Sequence, residues 1–266
     1  MRWVSGRRRQ PPVRLKTAAE IEAMREAGRL VAQVLKALEE AVQPGVQTAQ
    51  LDQLADQLIR RAGAIASFRG VPAAIPGVRP YPAATCISVN EEVVHGIPGP
   101  RVLAEGDIVS LDVGVILDGW HGDATITVGV GQISEDAARL IETTQGALAA
   151  GIAKAWAGGW LGDISSAVQK FAESRGYSVV RDYTGHAIGR EMHEGFQVPN
   201  FGRPRMGMRL RPGMTMAIEP MVNMGTAETV VADNGWTVVT ADGKLSAHFE
   251  HTIAITQGEP IVLTTL

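Results

Sequence analysis

Apolar and polar positions alternate with two different periods along the chain. Thr17-Ala-Ala-Glu20 reads as a capping box, in which each end of the tetrapeptide satisfies a backbone donor of the other. Ile21, Met24, Val31, Val34, Leu35 and Leu38 follow at helical spacing, and Pro44-Gly45 ends the segment. A second helix is predicted over about 48–62 from Leu51, Leu54, Leu58 and Ile59, with Gly63 as its stop. Residues 64–86 hold Pro72, Pro76, Pro80, Pro82 and several glycines. They predict an irregular loop, of a length that in a folded domain usually serves function. Ile108–Leu117 and His121–Val130 are apolar runs around Asp118-Gly119, a strong hairpin signal. A third helix is expected from Ser134 and a fourth over about 163–175, ending at Gly176; residues 177–266 read as strands and turns.

The helical segments suggest an internal repeat at an offset of 113. Gly45, Leu51, Ala55, Leu58 and Gly63 fall against Gly158, Ile164, Val168, Phe171 and Gly176. Chance similarity between two amphipathic helices is the competing reading. A true duplication predicts an α+β fold of two pseudo-symmetric halves, about 17–130 and 134–266. Each half has two helices followed by antiparallel strands, and a site is expected in the cleft between them.

Composition narrows the picture. A chain of 266 residues can bury a large core, and 45% hydrophobic with 20% charged residues excludes wholesale disorder. A net charge of −3 argues against coating nucleic acid, and no specific DNA partner is expected. A single cysteine, Cys86, excludes an intrachain disulfide and a thiolate-rich zinc site. No stretch approaches the roughly 18 apolar residues of a membrane span, and the N-terminus lacks an apolar signal core. A cytoplasmic protein is therefore expected. Residues 1–16 carry Arg2, Arg7, Arg8, Arg9, Arg14 and Lys16 with no acid. They read as a flexible basic tail, either solubilising or an electrostatic tether to RNA or the ribosome surface.

Several acids do not fit a simple core. If Asp118-Gly119 form the hairpin turn, Asp112 pairs with Thr125 and Asp123 shares its face, diagonal neighbours being about 7–8 Å apart. Two carboxylates in apolar strands repel each other and lose hydration, and a shared divalent cation removes both penalties. The alternative is a solvated strand edge. Glu219 in MTMAIEPMV and Glu250 in LSAHFEHTIAIT raise the count of such acids to four, a charge two divalent ions would balance. His186 and His193 lie in TGHAIGREMHE, where Gly185 and Gly189 would permit close backbone approach to a site. Neutral imidazole suits first-row metals. His95 precedes a Gly-Ile-Pro turn and is expected at a strand end facing a cleft. His248 and His251 are expected on the face opposite Glu250, as structural or exposed residues.

With these residues assembled, the sequence resembles the type I methionine aminopeptidases from about Thr17 to Ile261. The likeness rests on SVNEEVVHGIP (88–98), LDVGVILDGWHGDATITV (111–128), TGHAIGREMHE (184–194), AIEPMV (217–222) and GWTVVTADGKLSAHFEHT (235–252). It implies the pita-bread fold, with residues 17–266 as one catalytic domain. It also implies two divalent ions (Co, Mn, Fe or Zn) held by Asp112, Asp123, His186, Glu219 and Glu250. In the family pattern Asp123 and Glu250 bridge both ions, Asp112 serves one, and His186 with Glu219 serves the other. Asn90, Glu92 and Ser246 fall where relatives hold a structural monovalent cation.

The implied reaction is removal of the initiator methionine from nascent polypeptides whose second residue is small and uncharged. Glu219 would carry the proton from the attacking water to the leaving amine. His193 would support the scissile carbonyl, and His95 would stand near the scissile nitrogen. Tyr81, Cys86 and Trp236 correspond to the methionine pocket, although Cys86 and Trp236 also suit a plain apolar core. Met192 replaces an aromatic residue common before His193, and Gly114 replaces a common threonine. The separation of 26 residues between His193 and Glu219 leaves no room for the type II insert. A monomer is expected. The alternatives are a proline-directed aminopeptidase of the same fold, which usually carries a separate N-terminal domain, and a non-catalytic, ribosome-associated binding protein, which tends to lose ligands.

Overall fold

The Thr17 capping box forms as expected in the computed structural model, which describes residues 13–266. Glu20 N donates to Thr17 Oγ1 at 3.3 Å, and the Glu20 carboxylate accepts from Thr17 N at 2.8 Å. The helix it starts, α1 (Ala18–Ala41), buries Met24, Val31, Val34, Leu35 and Leu38 along one stripe. It is followed by α2 (Thr48–Arg61), α3 (Glu135–Ile152) and α4 (Leu161–Glu173). Helix α3 takes Ser134 as its N-cap. Helix α4 begins two residues before the expected 163. The Asp163 carboxylate accepts from Trp160 N at 3.0 Å, so the acid lies in the first turn rather than at the cap.

The strands in chain order are β1 (Ile65–Ala66), β2 (Cys86–Val89), β3 (Glu92–Val94), β4 (Ile108–Leu117) and β5 (Trp120–Gly129). Then come β6 (Ser178–Val179), β7 (Gly185–Ala187), β8 (Glu194–Val198), β9 (Thr215–Ile218) and β10 (Met221–Asn223). The last are β11 (Thr229–Val231), β12 (Val238–Thr240), β13 (Ser246–His248), β14 (Glu250–Ala254) and β15 (Ile261–Val262). Among the described residues, nine strands build one sheet in the order β1-β4-β5-β14-β9-β7-β8, with β2 also on β4 and β15 on β14. Two three-stranded sheets, β13-β10-β6 and β11-β12-β3, flank it. Residues 67–85 stay irregular, as the prolines predict.

Helix α1 covers β4 and β5, where Val31, Val34 and Leu38 pack with Leu111, Val113, Val115 and Ala124. Helices α3 and α4 cover the other half through Leu140, Ile164 and Val168 against Met216, Ile218 and Ile253. Side chains alternate along a strand, so the residues between these apolar ones emerge on the opposite face of the large sheet. That face carries the site.

Positions related by the offset of 113 adopt matching conformations. Gly45 and Gly158 have φ of 94° and 85°, and Gly63 and Gly176 have 73° and 85°, values open to glycine without strain. Leu51 and Ala55 are buried, as are Ile164 and Val168. Gln47 bridges Val102 just as Trp160 bridges Arg209, each pair holding the entry to the second helix of its half. No helix among the described residues is long and apolar enough to cross a membrane.

The expected tail boundary moves. Residues 1–12 lie outside the described residues, but 13–16 pack against the body. Lys16 N donates to Gly213 O at 2.7 Å, and the buried Lys16 ammonium pairs with Glu194. Arg14 pairs with Glu20 at 2.6 Å and faces the Trp120 ring. A buried ammonium demands a carboxylate, so this segment is fastened by charge rather than left free. Gly189 is explained here too. A Cβ on it would come within 2.3 Å of Glu194 Oε1 and 2.8 Å of Lys16 Nζ, so its small size admits the ion pair rather than a ligand. Gly185 likewise lets β7 close on β9, since a Cβ there would meet Ala217 O at 2.4 Å. Replacing Lys16 by Ala strands the Glu194 charge and should destabilise the fold by about 3 kcal/mol, read as a lower midpoint in urea unfolding.

Candidate metal centre

Register alone gathers the acids. Cys86 faces Asp112, Asp112 faces Thr125, and Thr125 faces Glu250 across β2, β4, β5 and β14. In a second row Gly114 faces Asp123. Asp123 N donates to Thr252 Oγ1 at 3.1 Å, and Thr252 Oγ1 donates to Asp123 O at 2.8 Å. Thr252 then faces Ala217, and Ala217 faces His186. Residues paired across strands share a face, and so do residues two apart along one. Asp112 and Asp123 therefore share a face, as the hairpin arithmetic predicted. Glu250 joins them through Thr252, and Glu219 joins two residues beyond Ala217.

The side chains converge. His186 Nε2 stands 3.6 Å from Asp123 Oδ2 and 3.7 Å from Glu219 Oε1. Asp123, His186 and Glu250 each offer a buried ligand atom, all within 4.8 Å of one another. Thr125 Oγ1 donates to Glu250 Oε2 at 3.1 Å, fixing that carboxylate. Asp112 Oδ1, Asp123 Oδ1 and Glu250 Oε1 are buried with no hydrogen-bond partner among the described residues. Orphaned carboxylate oxygens around an imidazole are the donor set a divalent cation requires, so these residues fit a metal.

Burial and mutual repulsion govern the charges. Burial pushes Asp112 up to about 7 and Glu219 up to about 8. Asp123 and Glu250 are also held well above the ordinary carboxylate range, by burial first and then by the neighbouring acids. Burial pushes His186 well below its usual value, which leaves it neutral and able to donate a lone pair.

The acids form the floor of a cavity of about 350 Å³. Its walls include the other sequence-predicted residues. His95 follows β3 with φ of 59° and makes edge contacts with the rings of Tyr183 and Trp236. Burial holds its imidazole down to about 3. His193 is exposed at the mouth, its ring centroid 4.3 Å from that of His186. Tyr81 is buried, its hydroxyl 2.8 Å from Gly96 O and 3.1 Å from Thr85 O, and its ring meets Trp236 edge-on at 5.1 Å. Cys86 and Met192 complete the apolar wall.

Other expectations change. His248 is neither exposed nor turned away. It is buried, lines the cavity and places Nε2 3.7 Å from Glu219 Oε2. It stands two positions from Glu250 and so shares its face, which alternation alone could have shown. His251 is structural, its Nδ1 2.8 Å from Thr264 Oγ1. Phe68 and Tyr183 also line the cavity, and no motif marked them; Thr184, the first residue of TGHAIGREMHE, lines it too, with no role read from the sequence. Gly114 leaves room for Phe68, whose ring would come within 3.0 Å of a Cβ there. Asn90 O accepts from Ser246 N at 2.9 Å, so two of the residues expected around a monovalent cation do meet. The Glu92 carboxylate is committed to Val89 N and Arg101 instead.

The model of metallopeptidase family M24 matches residues 22–257. A methionine aminopeptidase of Clostridium perfringens is 50% identical over 95% of this chain and 98% of its own length. The crystal structure of a methionine aminopeptidase from Thermotoga maritima superposes with a TM-score of 0.91 at 44% identity, covering 96% of this chain and all of that one. A prolidase from Pyrococcus furiosus reaches a TM-score of 0.75 at 20% identity, over 95% of this chain and 65% of that one, which is likeness of fold alone. The chain belongs to metallopeptidase family M24 and has its pita-bread fold. Within that family it falls among the methionine aminopeptidases of type I.

Stability of the metal-free protein should carry the signature of the acid cluster. In an unfolded chain Asp112 and Glu219 titrate near pH 4, so the folded state holds the extra protons up to their raised values. Stability from these groups is full at low pH and is lost as pH rises through about 7 and 8. The depressed histidines act in the opposite sense only below about pH 6.5. The melting temperature of chelator-treated protein should therefore fall between about pH 6.5 and 8.5, and a divalent cation should flatten that fall. A rise across the window in scanning fluorimetry would contradict the assignment.

Proposed function

We propose that this chain removes the N-terminal methionine from nascent proteins and peptides whose second residue is small and uncharged. The observation that carries the reading is the meeting of four acids and His186 on one sheet face, beneath an apolar pocket open at one side. Asp112, Asp123, His186, Glu219 and Glu250 would hold two divalent ions. Oxygen and imidazole donors accept Mn, Fe, Co or Zn. Bound there, the ions supply Lewis acidity and a water acidic enough to serve as nucleophile near neutral pH.

The protein's own groups do the rest. Glu219 takes a proton from the attacking water and passes it to the departing amine. His193, exposed beside His186, donates to the scissile carbonyl oxygen. His95 stays neutral and hydrogen-bonds near the scissile nitrogen. Tyr81, Cys86 and Trp236, with Phe68 and Met192, receive the methionine side chain, whose flexible thioether suits such a wall. Recognition of the free α-amine would fall to the metal-loaded site, so an internal peptide bond, which has none, is refused. We read the protein as a cytoplasmic monomer, and Arg2, Arg7, Arg8 and Arg9 as its candidate ribosome contact.

Three outcomes test this. Mass spectrometry of metal-loaded protein with peptides differing only at residue two should show methionine released before Ala, Gly or Ser and retained before Leu or Glu. Glu219→Gln should lower kcat by about a thousandfold, since it removes a proton carrier and a ligand charge together. His193→Ala should slow turnover by roughly a hundredfold while metal content, read by elemental analysis, stays near two ions. Loss of both ions in that variant would show that His193 is a ligand.

A further inference from the structure

The cavity does not end at the methionine pocket. Its mouth is bordered by residues 71–80, where Val71, Pro72, Ala74 and Ile75 all line the opening. Val71 is 36% exposed and Ile75 is 43% exposed. Apolar side chains left in water beside a binding cleft mark a surface that a ligand covers.

This lip is held in place at its base and along its far side. Gly70 N donates to Tyr81 O at 2.8 Å and Tyr81 N donates to Val71 O at 2.8 Å, pinching the base shut. Trp236 Nε1 donates to Arg79 O at 2.9 Å. Val78 packs on Gly235 so closely that a Cβ there would come within 2.6 Å. Pro72, Pro76 and Pro80 restrict the backbone between these anchors. A wall set before binding loses little entropy when a ligand meets it.

We propose that residues 71–80 form an extended subsite that takes apolar side chains at the third and fourth residues of the peptide. The inference rests on the proposed function. With the amine at the acid cluster and the methionine among Tyr81, Cys86 and Trp236, the rest of the peptide would leave through the mouth that the lip borders. An extended chain advances about 3.3 Å per residue, so the positions after the scissile bond are the ones that leave the cavity. Arg79 is the one charged side chain on the lip, and Val71, Pro72, Ala74 and Ile75, the lip residues that line the opening, carry no polar side chain, so an apolar side chain is the matching occupant.

The test compares Met-Ala-Leu-Leu-Ser with Met-Ala-Ser-Ser-Ser on metal-loaded full-length protein. The ratio of their kcat/KM values is measured within each protein, so that changes in basal rate cancel. The unaltered protein should favour the leucine peptide by about five- to tenfold, as partial burial of two leucines allows, with the gain in KM. Ile75→Ser, a change at an exposed position, should bring the ratio towards unity. A ratio near one in the unaltered protein, or a preference that survives Ile75→Ser undiminished, would overturn the subsite. Release of methionine from neither peptide would overturn the proposed function instead, and the subsite with it.

Discussion

Four carboxylates crowded on one face of a sheet are the constraint to which the rest of the molecule answers. Each is buried or partly so, Asp123 and Glu250 are raised further by the neighbouring acids, and three of their oxygens have no hydrogen-bond partner among the described residues. Such a cluster keeps its charge in an apolar core only with a compensating cation, and otherwise takes up protons. The helices lie on the opposite face, where the same strands supply Val, Ile and Leu. Thr125 and Thr252 stand among the acids and tie them to neighbouring strands, so the repelling groups are held rather than splayed. The apolar cavity walls then strengthen every charge interaction at the floor.

The site belongs to neither half of the chain. Asp112, Asp123 and His95 come from the first half; His186, His193, Glu219 and Glu250 come from the second. The seam between them is the β5–β14 pairing, where Thr125 meets Glu250. The matched glycine conformations at 45 and 158, and at 63 and 176, place equivalent helix pairs on either side of that seam. The contributions are nonetheless unequal, because His186 and Glu219 both come from the second half.

Much of this was legible in the chain. The Asp118-Gly119 turn sets the register of β4 on β5, and that register puts Asp112 and Asp123 on one face. Apolar strands interrupted by Glu219 and Glu250 announced acids out of place. What was not legible depended on contacts distant in sequence. Nothing near Lys16 reveals that Glu194, 178 positions away, will bury its charge. The roles of Gly185 and Gly189 came out differently, because strand closure and that ion pair, not a ligand, set their size. His248 differs from expectation for a local reason: two positions from Glu250, it shares that residue's face and lines the cavity. The lip at 71–80 looked only like a proline-rich loop, because its form depends on Trp236 and Gly235 far downstream.

The order of the large sheet has a consequence for synthesis. Strand β14, among the last elements in the chain, is threaded between β5 and β9, which are made earlier. Until residues 250–254 leave the translation machinery, both neighbours expose unsatisfied hydrogen-bonding edges, the feature that invites strands to join the wrong chain. Assembly is thus governed by a late central insertion, and a polypeptide cut short before residue 250 would keep two sticky borders and an acid cluster missing one member. Such fragments belong with the species that aggregate or need chaperones, while the finished chain closes its own gap.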